Sequence, residues 1–172
     1  MLIRALILNK TGGLFDDDFV SYFEETDFCW RTWLLGYRVI YFPLAQIHHK
    51  VGFTIKRLDV GNLNFHYYKN RLCSLLKNLN FGNLLLILPM HLLVSLGISL
   101  AFLFNGQVNS FLLIWKAIWW NIANLGETLK KRAKIQKSRV MSDEIIFKKL
   151  LVPVDWKSFY GDFKRVEKDL AK

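Results

Sequence analysis

The sequence predicts an α/β module over residues 1–61, followed by a membrane-associated helical hairpin and a basic helical tail. Three observations carry that prediction. Charge is segregated: residues 1–61 hold seven basic and seven acidic side chains, residues 62–126 hold four basic and none acidic, and residues 127–172 hold thirteen basic and seven acidic. Residues 84–104 carry no charge at all, and as a helix rising about 1.5 Å per residue they reach roughly 30 Å, the thickness of a bilayer core. In the first segment, short apolar runs alternate with Gly and Pro breakers, the pattern of strands joined by turns and one helix.

The chain has 172 residues and 20.2 kDa, enough for one domain with an appendage. Its 52% hydrophobic content excludes a disordered or collagen-like chain. A net charge of +10 beside a positive mean hydropathy of +0.19 fits the segregation just described. Cys29 and Cys73 form no C-x-x-C and no metal-ligand spacing, so they read as ordinary thiols of a reducing compartment.

In order along the chain, residues 2–8 read as a short strand, ended by the breaker Asn9-Lys10-Thr11-Gly12-Gly13. Leu14 to Phe19 form a polar loop around Asp16, Asp17 and Asp18. The acidic cluster Glu24-Glu25-Thr26-Asp27 opens a buried helix that runs through Phe28, Trp30, Arg31, Trp33 and Leu34 to Gly36. Carboxylates in a first helical turn are stabilised by the helix dipole, which by itself accounts for Glu24, Glu25 and Asp27. Residues 37–42 read as a second strand, broken by Pro43, and residues 45–49 extend again toward His48 and His49. Residues 62–80 form a connecting helix.

The hairpin occupies residues 81–126. Pro89, His91, Gly97 and Ser99 interrupt its first apolar run, as in membrane helices that pack on a neighbour. After an uncharged turn, residues 111–125 are again apolar, with Lys116 the only charge and Trp115, Trp119 and Trp120 where an interfacial belt would sit. That second segment is short for a full span and reads as a tilted or interfacial helix. The tail, residues 127–172, opens on the basic run Lys130-Lys131-Arg132-Ala133-Lys134. With Lys69, Arg71 and Lys77 on the other flank, both flanks are positive, so the positive-inside rule predicts a membrane protein whose two polar ends are cytoplasmic. The basic run lacks the aromatic interleaving and groove-entering motif of a nucleic-acid binder, so lipid is the expected partner and nucleic acid is not.

Several pieces, taken in order, resemble the family 2 glycosyltransferases, above all their membrane-associated, rhamnosyltransferase-like members. They are Gly12-Gly13-Leu14-Phe15-Asp16-Asp17-Asp18-Phe19, the run from Tyr22 to Arg31, Gly36-Tyr37-Arg38-Val39, Pro43, His48 to Gly52, Tyr67 to Leu72, and the basic run after the hairpin. The resemblance implies a GT-A fold, of which residues 1–61 would be the C-terminal, acceptor-side part. It also implies transfer of a sugar, with inversion, from a nucleotide-sugar donor to a cell-envelope or lipid-linked glycan acceptor. Inversion requires one general base, which takes the proton of the acceptor hydroxyl as that oxygen attacks the anomeric carbon. The family's base position falls on Glu25, where Asp is the commoner residue. Glu24 and Asp27 are implied as supporting carboxylates, although helix capping explains them equally well. Arg31, at i, i+4 from Asp27, is placed to pair with it. Asp16, Asp17, Trp30, Arg31, Tyr68 and Arg71 are the implied substrate-binding set. His49 matches a family position near the phosphates and the metal, with a structural role equally open and His48 as the neighbouring candidate.

The resemblance also implies a divalent cation, Mg²⁺ or Mn²⁺, for a complete enzyme. The family's Asp-x-Asp metal motif is not in this sequence, because Asp16-Asp17-Asp18 falls in the downstream acceptor loop. The nucleotide-binding half is likewise missing, so the chain is expected to be inactive without it, supplied as a longer chain or as a separate subunit. A second reading is a non-catalytic membrane-anchored remnant or interaction subunit.

Overall fold

The computed structural model describes residues 2–46, 60–151, 153 and 155, with the backbone only for residues 60–64. Seven helices follow one another: α1 (Ala5–Thr11), α2 (Glu24–Leu34), α3 (Val60–Asn78), α4 (Phe81–Phe104), α5 (Val108–Ala123), α6 (Leu125–Ser138) and α7 (Asp143–Leu150). No strand occurs among the described residues, which overturns the α/β expectation and with it the partial GT-A domain.

Two strand expectations fail for separate reasons. Residues 2–8 are a short apolar run, which periodicity cannot assign to strand or helix. Ala5, Leu6 and Leu8 favour helix, and Gly12, in the left-handed region at φ 75°, ends α1 with the Gly13 amide donating to Leu8 O at 2.9 Å. Residues 37–42 have strand composition but no partner strand to complete a ladder, and they run as irregular chain. Val39, Ile40, Tyr41, Phe42 and Leu44 of that stretch are left exposed. The extension toward His48 and His49 lies outside the described residues beyond Gln46.

The acidic-headed helix stands as α2. Gly36 follows its end at φ 82°, and the Leu34 carbonyl accepts from the amides of Val140 and Met141 at 2.8 and 3.0 Å. That pairing brings the segment after α6 onto α2. Trp33, Leu34 and Ile146 form the apolar core there, with Trp30, Ile135 and Met141 packed against it.

Helix α3 is the central strut. It packs along α5 and then α6, meets α2 on another side, and touches α4 only lightly. Asn121 on α5 donates to Lys69 O at 3.1 Å, and Arg132 on α6 donates to Leu76 O and Leu79 O at 2.6 and 2.7 Å. The two bonds from Arg132 satisfy carbonyls at the end of α3 that have no partner within the helix.

Helix α4 spans 24 residues, about 36 Å, and is the one described helix long and apolar enough to cross a membrane. Its outer surface exposes Leu85, Leu86, Met90, Leu93, Val94 and Phe104. Its start is fixed: Asn80 caps Asn83 N at 2.7 Å, and the Asn80 amide donates to the fully buried Asp143 at 2.7 Å. Ser95 and Ser99 on α4 and Ala117 on α5 are buried, and such small side chains let these two packed helices approach. Helix α5 has 16 residues, about 24 Å, too short for a perpendicular span.

Candidate functional site

The start of α2 is built by strain. Tyr22 and Phe23, immediately before it, both stand in the left-handed region, at φ 63° and 73°. For bulky L-residues that conformation costs on the order of 1–3 kcal/mol each and persists only where the surroundings impose it. Asn70, buried on α3, imposes it: its Nδ2 donates to Ser21 O at 2.9 Å and to Tyr22 O at 2.7 Å. The Tyr67 ring packs edge-on against both Tyr22 and Phe23, with centroids 6.4 and 6.3 Å away. Tyr68 stacks edge-on against Tyr67 at 5.4 Å, and Arg71 Nη1 donates to the Tyr67 hydroxyl at 3.3 Å.

This turn delivers three carboxylates into different surroundings on one helix. Asp27 is fully buried and saturated. Its Oδ1 accepts from Ser74 Oγ and Asn78 Nδ2, each at 2.8 Å, its Oδ2 accepts from Arg31 Nε at 2.9 Å, and Lys77 Nζ lies 3.4 Å away. Glu24 is half-buried, and its Oε2 has no partner among the described residues. Burial raises the Glu24 pKa, its own backbone amide opposes that, and the neighbouring charge of Glu25 raises it further. Glu25 is exposed and makes no ion pair or hydrogen bond among the described residues.

The implied substrate-binding residues divide likewise. Arg31 is buried and, beyond Asp27, donates to Thr11 O, Gly13 O and Leu14 O at 2.8, 3.2 and 2.9 Å, which fixes the loop after α1. Trp30 sits at the edge of the apolar core, its Nε1 buried without a partner among the described residues. Asp16 bonds Lys77 and Lys131, while Asp17 is exposed. Tyr68 and Arg71 join the aromatic group beside the strained turn. A cavity of about 480 Å³ lies between α1, the Asp16 loop and α6, lined by Lys10, Asp16, Asp17, Arg31, Lys131 and Lys134 among others.

The acidic triple does not fit a divalent cation. Asp16 takes two ammonium groups, and Asp18 takes Lys131 at 2.6 Å, so their oxygens already face positive charge. Among the described residues no group of three or more His, Cys, Asp or Glu is arranged to hold a metal. His49 and His48 lie outside the described residues.

Sequence reasoning gives no role in holding α2 to Asn70, Ser74, Lys77 and Asn78, the buried polar face of α3 that fixes that helix and its entry turn. Their signal was present: positions 70, 74, 77 and 78 recur at helical spacing opposite Leu72, Leu75 and Leu79. Lys131, which joins α6 to the Asp16 loop, was read only as part of a basic run. No protein-family model, no curated protein and no solved structure matches the chain.

Proposed function

We propose that this chain is the C-terminal, membrane-associated part of an inverting glycosyltransferase, with Glu25 as the general base. The observation that carries the reading is the strained turn at Tyr22 and Phe23. Strain of this kind collects at functional sites, and here it stands two residues before the exposed carboxylate of Glu25. Asp27, two residues on, is already saturated and anchors the helix. The Glu25 carboxylate takes the proton of the acceptor hydroxyl while that oxygen forms the new bond to the anomeric carbon. The bond from that carbon to the nucleotide diphosphate breaks, its electron pair leaving on the phosphate oxygen, and configuration inverts. Tyr67 and Tyr68 offer apolar ring faces for a sugar, with Arg71 as a nearby donor.

The nucleotide-sugar is held by a donor-binding half or subunit. The exposed apolar residues 39–44 support docking of such a partner. A divalent cation on the diphosphate would be held there too, since the described carboxylates of this chain do not fit one. The glycan acceptor, lipid-linked or in the cell envelope, meets Glu25 near the membrane surface, and the polar module and basic tail occupy the cytoplasmic side. The second reading, a non-catalytic membrane-anchored interaction subunit, is favoured by the all-helical arrangement.

Membranes from source cells lacking the chain, supplied with a panel of labelled nucleotide sugars, separate the two readings. Incorporation of label into glycan that returns with the wild-type chain but not with Glu25→Gln supports the enzyme. Equal return with both supports the interaction subunit.

A further inference from the structure

We infer that the outward face of α6 is a binding site for the phosphate groups of anionic phospholipids, formed by Lys130, Lys134 and Lys137. The basic run of α6 divides by direction. Lys131 turns inward to Asp16 and Asp18, and Arg132 turns inward to the Leu76 and Leu79 carbonyls. Lys134, at the rim of the cavity beside α1, and Lys137 are exposed with no ion pair among the described residues, and Lys130 makes only a solvent-exposed pair with Glu127. The three outward lysines recur at i, i+4, i+7, so they share one face.

Beside that face, about a third of a turn round α6, runs a second pattern. Leu112, Trp115, Trp119 and Ile122 on α5, then Leu125 and Leu129 on α6, are exposed at spacings of three or four residues. The two helices are separated only by Asn124. The outer surface therefore passes from aliphatic to aromatic to aliphatic to cationic, the order in which a chain leaves hydrocarbon, crosses the interface and meets headgroups. Only a lipid surface matches both parts: a free anion would leave the Trp and Leu stripe bare, and an apolar partner would leave the ammonium groups unmatched. This inference is independent of the role of Glu25.

The test uses the full chain in vesicles of phosphatidylcholine with a minor fraction of phosphatidylglycerol, one or the other lipid carrying bromine to quench tryptophan. The wild type is expected to show phosphatidylglycerol enriched about threefold around Trp115 and Trp119, falling toward parity at about 0.5 M salt. The K130Q/K134Q/K137Q variant is expected to show no enrichment, with helicity by circular dichroism unchanged. The K148Q/K149Q variant, altered on α7 off this stripe, is expected to keep it. Parity in the wild type overturns the site, as does enrichment that survives the triple variant or is lost equally in the α7 variant. Where the triple variant does not fold, the wild-type salt titration decides: enrichment indifferent to salt overturns the site.

Discussion

Asn78, in the last turn of α3, donates through Nδ2 to Asp27 Oδ1 at 2.8 Å, joining the helix that leads into α4 to the first turn of α2. Ser74 donates to the same oxygen, while Arg31 and Lys77 meet the carboxylate from the other side. One fully buried side chain thus locks the acidic helix start onto the central strut. Replacing Asp27 with Ala leaves Arg31 buried without its counter-charge and Lys77 with Asp16 alone. A loss of about 3–5 kcal/mol is expected, read from denaturant unfolding in detergent with α2 probed by Trp30 and Trp33 fluorescence.

The Asp16 carboxyl gives stability a pH dependence of known sign. Burial raises its pKa, but the Lys77 charge and the hydrogen bonds from Lys131 and Lys77 outweigh it and bring the value down to about 2. Because the folded value lies below the unfolded one, the stabilisation is complete above the unfolded pKa near 4 and is lost as pH falls from there toward about 2. Unfolding midpoints measured over that window are expected to fall steeply in the wild type. In Asp16→Asn the part of that slope owed to this group disappears.

Asn70 is expected to control the geometry at Glu24 and Glu25 without touching substrate. Asn70→Ala removes both bonds to the strained turn, so residues 21–25 should exchange amide hydrogen faster while α4 and α5 stay protected. A stability loss of about 1–2 kcal/mol should accompany it, the cost of freeing two part-buried carbonyls.

The bridge from Lys131 to Asp18, at 2.6 Å, places α6 and the N-terminal module on one side of any membrane that α4 enters. A chain that crosses through α4 must then return, and the Trp-rich α5, about 24 Å long, reaches across only where the bilayer thins to meet it. Cysteines placed at Asn105 and at Lys137 should react with an impermeant thiol reagent from opposite faces of sealed vesicles. Labelling of both from the same face contradicts the hairpin.

Much of the helical part was readable from sequence because its signals are long or strongly patterned. The uncharged run of α4 and the acidic start and glycine stop of α2 each carry their own physical cue. The α/β class was misread where cues are short. Residues 2–8 and 37–42 have apolar or β-branched composition that specifies a strand only when a neighbour completes its hydrogen bonds, and among the described residues none does. Within the candidate site, the pairing of Asp27 with Arg31 was legible as a spacing of four. The hold of Asn70 on the turn was not, because it joins segments 48 and 49 residues apart and depends on how α3 lies against α2.

The central claim is that Glu25 reacts while Asp27 only holds the helix. The most direct measurement is the initial rate of label transfer to glycan in membranes carrying wild type, Glu25→Gln or, as a distant carboxylate control, Glu127→Gln. Loss of a general base is expected to lower kcat about 10²- to 10⁴-fold with little change in KM for the donor, while Glu127→Gln transfers as the wild type does. Transfer by Glu25→Gln at the wild-type rate, with the helical signal of all three chains alike, would contradict the claim.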